Sequence, residues 1–529
     1  MPIDPEEFRA GAVRVNNRGL EGPIGGLTST FPAAAQHRAA LRLLGSDIVY
    51  AAPSPLPNDR GSWIALIRFG DVIERRFGIT REVIAYYSPH NDLQLRTYLR
   101  LGELLGVAPR PATPDLFLVW APDPLTGRRL DDWSKRATHV AIALPPSRSA
   151  DPAQELWAGL FKRMTTTNLY DQTLPVTGED FFGRRRTLQQ LSEHLKAGRV
   201  SGVFGLRKTG KTSLVKELGR RASEFETVRQ IFVLRDLETL PSVRADRVPN
   251  LLEDLRVNLL TELRTHNLRT YDLVELPPHS DVASFRRALH TLLGHMARKG
   301  VNVVLALDEI ESLVGPAAEW DQDQGDIVEL LGALRALVQE NDNFNVLLSG
   351  LTSSILEEGQ LFGRENPFFA WASTMFIPPL NLAESTEILV RLGERMAVSW
   401  TPEAISDASE IADGHVFLLR TLAKVIVDGL PQEQGARVVD SGVVATARRS
   451  WRRSVAGQVR EMLETVARYY PDEHSVLDLL SSDQGLFDTL EDDYPSAIEH
   501  LIQLGLVTED KSALRLTTLA QFHRRTAVS

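Results

Sequence analysis

Val203–Leu218 reads VFGLRKTGKTSLVKEL. An apolar run passes into Gly205-Leu206-Arg207-Lys208-Thr209-Gly210-Lys211-Thr212, and Ser213 continues a helical pattern. The stretch matches G-x-x-x-x-G-K-[ST] in full, between a strand and a helix, which is where a phosphate cradle must sit. Its glycines let backbone N–H groups wrap an anion at a helix N-terminus, Lys211 has the reach for β- and γ-phosphates, and Thr212 offers a hydroxyl to Mg²⁺. Residues 205–213 are therefore candidate contacts for ATP or ADP. The plainer alternative, a glycine-rich turn into a surface helix, is disfavoured by the strand–loop–helix context.

About a hundred residues on, VNVVLALDEIESL begins at Val301, and its apolar strand delivers Asp308 and Glu309 to a carboxyl end. Asp308 suits Mg²⁺, directly or through water, and Glu309 suits a general base on attacking water. Acid pairs after apolar runs also cap helices; downstream of a full phosphate loop the catalytic reading is the better one. A chain built only to hold nucleotide would not need Glu309.

The rest of the composition sets limits. A chain of 529 residues exceeds one core and predicts about three or four domains. With no cysteine it has neither disulfides nor thiolate chemistry, which fits a cytoplasmic location. The start, MPIDPEEFRAG, carries no basic or apolar export signal, and apolar runs fall short of the roughly 18–20 residues of a membrane span. A net charge of -10 argues against a surface made for wholesale nucleic-acid binding.

Residues 1–44 read as an arm with one helix, FPAAAQHRAALRLLG. From Asp47 a grammar of short β-rich runs and amphipathic segments follows: DIVYAAPSP, helix-like SWIALIRFGDVIERRFG, EVIAYYSP, NDLQLRTYLRLGELLG, LFLVWAPDP and HVAIALPPS. That predicts an α/β fold whose residues 45–150 form a small Rossmann-like parallel-sheet domain, with Pro53, Pro89, Pro122 and Pro145 at the carboxyl edge. Ser88, His90, Asn91, Asp92, Asp59 and Asp123 fall at that edge and could hold an effector. No catalytic or metal motif accompanies them, so turns with helix caps are the simpler reading. A linker helix is expected over 151–178, a P-loop NTPase core over 179–380 whose phosphate loop and acid strand resemble the ASCE/AAA+ type, a helical lid over 381–465, and a winged helix over 466–529 ending in the hairpin LVTEDKSALRLTT.

Phe182-Gly183-Arg184, GLRKTGKTS, LALDEIE, the strand end LLSGLTSS and GHVFLLR in a helical lid together resemble the STAND and archaeal-type P-loop ATPases, relatives of the AAA+ and origin-recognition ATPases. The resemblance covers roughly residues 175–529. It implies an ATP-hydrolysing switch, and bacterial relatives of this design often serve in signalling or in defence against mobile elements. It also implies that Phe182, Gly183 and Arg184 close over the base and ribose, and that Ser349 or Thr352 senses the γ-phosphate unless the SS pair simply caps a helix. Arg185 stands where relatives carry Glu, and Asp413-Gly414-His415-Val416 lacks the proline of their Gly-Gly-His-Pro.

Arg364, in LFGRENPFF, is a candidate arginine finger toward a neighbouring subunit; a loop held by its own ion pairs is the alternative. Arg448, Arg449, Arg452 and Arg453 recur at helical spacing beside Trp451 and could meet nucleic acid, an acidic partner or only solvent. YPSAIEHLIQLG, where a winged helix would present its recognition helix, has Glu499 and no Lys or Arg, which opposes DNA contact there. A DNA-associated AAA+ factor and a nucleotide-stabilised interaction scaffold remain the alternatives to the switch. A protein partner or homo-oligomer is expected for all three.

Overall fold

Short buried apolar runs in the first third and in the middle third each build a sheet. The computed structural model describes residues 12–13, 21–77, 79, 81–134, 139–166, 168–171, 174–225, 229–241, 243–320, 324–431 and 437–508. Much of the expected arm, 1–11 and 14–20, and residues 509–518 of the expected hairpin lie outside them. The chain forms two compact units. One comprises Met1–Tyr170 with Leu389–Pro402 and Ile426–Val443; the other comprises Asp171–Ile388, Glu403–Val425 and Val444–Ser529. Among the described residues no helix is long and apolar enough to cross a membrane.

The first unit holds a five-stranded sheet of β1 (Asp47–Pro53), β2 (Trp63–Arg68), β3 (Glu82–Tyr87), β4 (Ala112–Trp120) and β5 (Val140–Ala143), in that spatial order. The sheet is mixed, not parallel throughout, because β2 runs antiparallel to both neighbours while β3, β4 and β5 are parallel. SWIALIRFGDVIERRFG is thus not one helix. WIALIR is a strand, and only Asp71–Phe77 is helical. Four consecutive buried residues, Ile64 to Ile67, face the two sides of the sheet by turns, and such a short apolar run carries no period that separates helix from strand. On one face Ala65, Ile67, Ala85, Tyr87 and Leu118 pack against helices Glu21–Thr30, Ala33–Leu43 and Pro152–Thr166. On the other, Ile64, Leu66, Ile84, Tyr86 and Phe117 meet Tyr98, Leu101, Leu104 and Leu130. Two covered faces explain why these strands are apolar at nearly every position.

The second unit is built on five parallel strands in the order Ser373–Phe376, β6 (Ser201–Phe204), β9 (Phe344–Gly350), β8 (Val301–Asp308), β7 (Arg229–Asp236). Strand β9 is therefore inserted between the strand that leads into the phosphate loop and the strand that ends in Asp308. Helices Arg185–Lys196 and Lys211–Phe225 bury Leu188, Leu191, Leu214 and Leu218 on one face. Helices Arg247–Thr265, Val282–Ala297 and Gly325–Glu340 cover the other with Leu255, Leu259, Leu289, Leu293, Leu330 and Leu334.

At its C-terminal end the unit carries helices Pro471–Ser482, Phe487–Asp493 and Pro495–Gln503. His500 binds them to the core: its Nδ1 lies 2.6 Å from Glu473 Oε1 and its Nε2 3.3 Å from Glu357 Oε2. Hydrogen bonds to Glu357 and Glu473 push this imidazole up to about 10 from the ordinary 6.5. A folded pKa above the unfolded one lends stability that is full below pH 6.5 and lost as pH rises through about 10. The thermal midpoint of the wild type is expected to exceed that of His500→Gln most below pH 6.5, on the order of 2 kcal/mol for the charged pair, with the gap closing near pH 10. A gap independent of pH across that window would refute the assignment.

Candidate functional site

Gly205 (φ +150°), Lys208 (φ +61°) and Gly210 (φ +94°) turn the backbone between β6 and the helix that starts at Lys211. The two glycines occupy conformations that a Cβ resists, which is why the motif fixes them. Thr209 Oγ1 donates to the Leu206 carbonyl at 2.8 Å and closes the turn. Lys211, only 3% exposed, donates from Nζ to the Gly205 and Leu206 carbonyls at 3.0 and 3.1 Å, so its charge is held inside the loop. Thr212 Oγ1 donates to Asp308 Oδ2 at 2.7 Å, across the gap that β9 creates between β6 and β8. The hydroxyl and carboxylate expected to meet one cation are therefore neighbours. Ser213 faces away, its Oγ accepting the Val176 N–H at 3.1 Å.

Glu309 adopts φ +56°, a left-handed turn that separates its side chain from Asp308, and its Oε2 is buried without a hydrogen-bond partner. Burial opposes its ionisation, yet Lys211, a contact with Glu311 and Arg207 hold its carboxyl below the ordinary range. Glu311, which the sequence reading passed over, is 4% exposed; burial and the adjacent Glu309 push it up to about 8. Its only sequence signal is a third acid in DEIE, at a spacing that could equally have faced solvent.

Before the loop, Gly183 (φ +70°) and Arg184 (φ +54°) give their N–H groups to Glu387 and Glu384 at 3.3 and 2.5 Å. The Arg184 guanidinium comes within 3.7 Å of the point a Gly210 Cβ would occupy, and its Nη1 is buried with no partner. Burial lowers it to about 10, against the attraction of Glu384. Phe182 is half-buried beside it. Arg185 pairs with Glu387 instead of turning inward. His415 is buried, and burial together with Arg184 pushes it down to about 4, so it is neutral. Lys208 Nζ sits 4.6 Å over the Phe417 ring and Arg207 bonds Glu461 at 2.8 Å, so two loop side chains grip residues of the helices Val416–Gly429 and Ser441–Tyr469.

Of the two sensor candidates, Ser349 has a buried Oγ with no partner beside the end of β6, whereas the Thr352 hydroxyl accepts the Ser354 N–H at 3.2 Å and caps a turn. Arg364 lies exposed on a two-strand hairpin with its guanidinium against Gly325. Arg448, Arg449 and Arg453 are exposed and Arg452 half-buried; Trp451 is fully buried, with Nε1 donating to the Leu418 carbonyl at 3.1 Å, and anchors that helix.

In the first unit, Asp59 accepts from Tyr86 and Ser54, and Asp123 accepts the Leu93 and Leu125 N–H groups and pairs with Arg129. These carboxylates tie turns together. Asp59, His90, Asn91, Asp92, Arg96 and Arg100 also line an open cleft of about 480 Å³.

This geometry is that of an ATP-hydrolysing P-loop domain, and residues 180–348 match the model of the AAA ATPase domain family. Residues 180–348 thus carry an AAA ATPase domain, which supports ATPase activity. Among solved structures it is similar in fold to the Walker-type ATPase PABY2304 of Pyrococcus abyssi, at 18% identity and a TM-score of 0.50, over 67% of this chain and 99% of that one. Two others are the ORC2 protein of Aeropyrum pernix in ADPNP–ADP complexes (14% identity, TM-score 0.39, 68% and 98% covered) and the RuvB Holliday junction branch migration motor of Thermotoga maritima (17%, 0.34, 67% and 99%). No curated protein matches the chain.

Gly350 is where this site tolerates least. A Cβ there would fall on the Glu311 carboxylate and 2.8 Å from Ile310 Cγ2. Gly350→Ala is expected to destabilise the second unit by about 1–3 kcal/mol, read as an earlier urea midpoint. An unchanged midpoint would mean that Glu311 moves aside freely.

Proposed function

We propose that this chain is an ATP-driven regulatory switch of STAND or AAA+-like type: it binds ATP or ADP with Mg²⁺, hydrolyses ATP slowly or on partner demand, and couples nucleotide state to domain rearrangement and partner binding or oligomerisation. The observation that carries the reading is the convergence on one loop of buried polar groups that lack partners. Arg184 Nη1 lies by Gly210, Ser349 sits on β9 beside Val203 of β6, and Glu309 feels the Lys211 charge, each with a buried atom that lacks a partner. Buried polar atoms without partners are costly, and a polyanionic ligand would satisfy the cations among them.

In this reading residues 205–212 and Arg184 bind the nucleotide, with Gly183 shaping the turn and Phe182 beside the base. Thr212 and Asp308 hold Mg²⁺, which supplies charge neutralisation on the phosphates. Glu309 orients and deprotonates water, and Ser349, more than Thr352, takes the sensor position. Arg364, exposed, is offered to a neighbouring subunit's site. We assign residues 381–465 as the lid, 466–529 as a winged helix, and the α/β unit around 45–150 as a Rossmann-like variant that receives or reports the signal, in cytoplasmic signalling or defence against mobile elements. A DNA-associated AAA+ role is the second reading. The exposed Arg448, Arg449 and Arg453 favour it, and the exposed acids Asp492, Asp493 and Glu499 oppose it.

The test is ATP turnover at several protein concentrations beside light scattering, on wild type, Lys211→Ala and Glu309→Gln. Turnover should rise steeply with concentration, vanish in Lys211→Ala through lost binding, and fall roughly 100-fold or more in Glu309→Gln, which should trap a larger ATP-bound species. Turnover linear in concentration from a monomer would remove the assembly step, and wild-type turnover in Glu309→Gln would remove the assigned base.

A further inference from the structure

Behind Glu309 lies a buried carboxyl that the hydrolytic reading does not use. Glu311 opens the short helix Glu311–Val314 and is 4% exposed. Its Oε2 accepts the Leu351 N–H at 3.0 Å, and no N–H group reaches its buried Oε1. The Glu309 and Glu311 carboxyls lie within hydrogen-bond reach of each other. Gly350 leaves the space that the Glu311 carboxyl fills, so the contact is built from both strand ends. An apolar side chain would fill such a site at less cost than a carboxyl, which needs a donor for every buried oxygen.

We propose that Glu311 is a positioning residue for ATP hydrolysis: braced by the Leu351 N–H, its carboxyl fixes the rotamer of Glu309 and ties the general base to the turn that follows β9. That turn is braced from its other side as well. Tyr470 OH donates to the Leu351 carbonyl at 3.3 Å and accepts the Ser353 N–H at 3.2 Å. Leu351 thus gives its N–H to Glu311 and its carbonyl to the tyrosine that precedes the C-terminal helices. A shift of those helices that displaces Leu351 pulls on the carboxyl that holds Glu309, and misplacing a reacting group by about 1 Å costs up to about 100-fold in rate. The charged and titratable groups that act on Glu311 or feel it are Glu309, Lys211 and Tyr469, and Arg207 acts on Glu309 and Tyr469.

The inference rests on Glu309 as the base, so the experiment carries that control. Full-length wild type, Glu309→Gln, Glu311→Ala, Glu311→Gln and Glu311→Asp are compared for steady-state hydrolysis of MgATP. Affinity for ADP, and for ADP with aluminium fluoride as a mimic of the transferring phosphoryl group, is measured on the same proteins. Glu311→Ala is expected to lower kcat roughly 10- to 100-fold while KM and ADP affinity stay within about threefold, and to weaken the aluminium fluoride complex in proportion to kcat. Glu311→Gln, which still accepts the Leu351 N–H and donates to Glu309, should recover most of that loss. Glu311→Asp keeps the carboxyl but shortens the reach, and should not. A kcat within about twofold of wild type in the Ala variant, equal losses in Ala and Gln, or an equal fall in ADP affinity overturns the proposal while leaving Glu309 intact. Should the Ala variant fail to fold, wild-type kcat and aluminium fluoride affinity in Glu311→Asp overturn it instead. Full turnover in Glu309→Gln removes the base itself, and this inference with it.

Discussion

A buried ammonium group, that of Lys211, is the charge on which the site depends. At 3% exposure it would be costly without partners, and in this structure two loop carbonyls and the nearby Glu309 carboxylate hold it. Its field helps keep Glu309 ionised despite burial, tempers the rise of Glu311, and adds to the forces that keep His415 neutral. Arg184, also buried, brings a second cation to the same loop. Two buried cations so near one another, one with an unpartnered N–H, are a poor final arrangement for the protein alone and a good one for a phosphate chain.

That logic explains which parts of the molecule the sequence could reveal. Phosphate loop and acid strand are legible because chemistry fixes residue type and spacing together: Gly205 and Gly210 need positive φ, Lys211 and Thr212 need a helix N-terminus, and Asp308 needs a buried strand end. Strand β2 was illegible because WIALIR is buried on both faces and shows no period. Glu311 was illegible because its importance comes from Leu351, forty residues away in the chain and adjacent only after β9 inserts beside β8. Ser349 and Thr352 differ in a way no spacing reports, since one hydroxyl is left over by the fold and the other is taken by a turn.

The helices that meet the loop's side chains follow the same rule. Arg207 and Lys208, variable positions of the phosphate-loop pattern, are those whose side chains reach Glu461 and Phe417. An exposed ion pair is worth little alone, and a cation over an aromatic ring on the order of 1 kcal/mol. Their significance is therefore geometric: the loop backbone can serve the phosphates while the loop's own side chains register where those helices stand.

His500 and Tyr470 extend this link to the C-terminal helices. His500 joins Glu357, which follows the β9 turn, to Glu473, and Tyr470 brackets Leu351 and Ser353. Among the described residues the turn after β9 consequently meets Glu311, adjoins Ser349 and carries the attachment of the C-terminal helices. A protein that only cleaved ATP would not need those attachments at the same turn. In the proposed switch, a change in what occupies the loop and a change in how the helices sit compete for one short stretch of backbone, and neither can move it without the other registering the displacement.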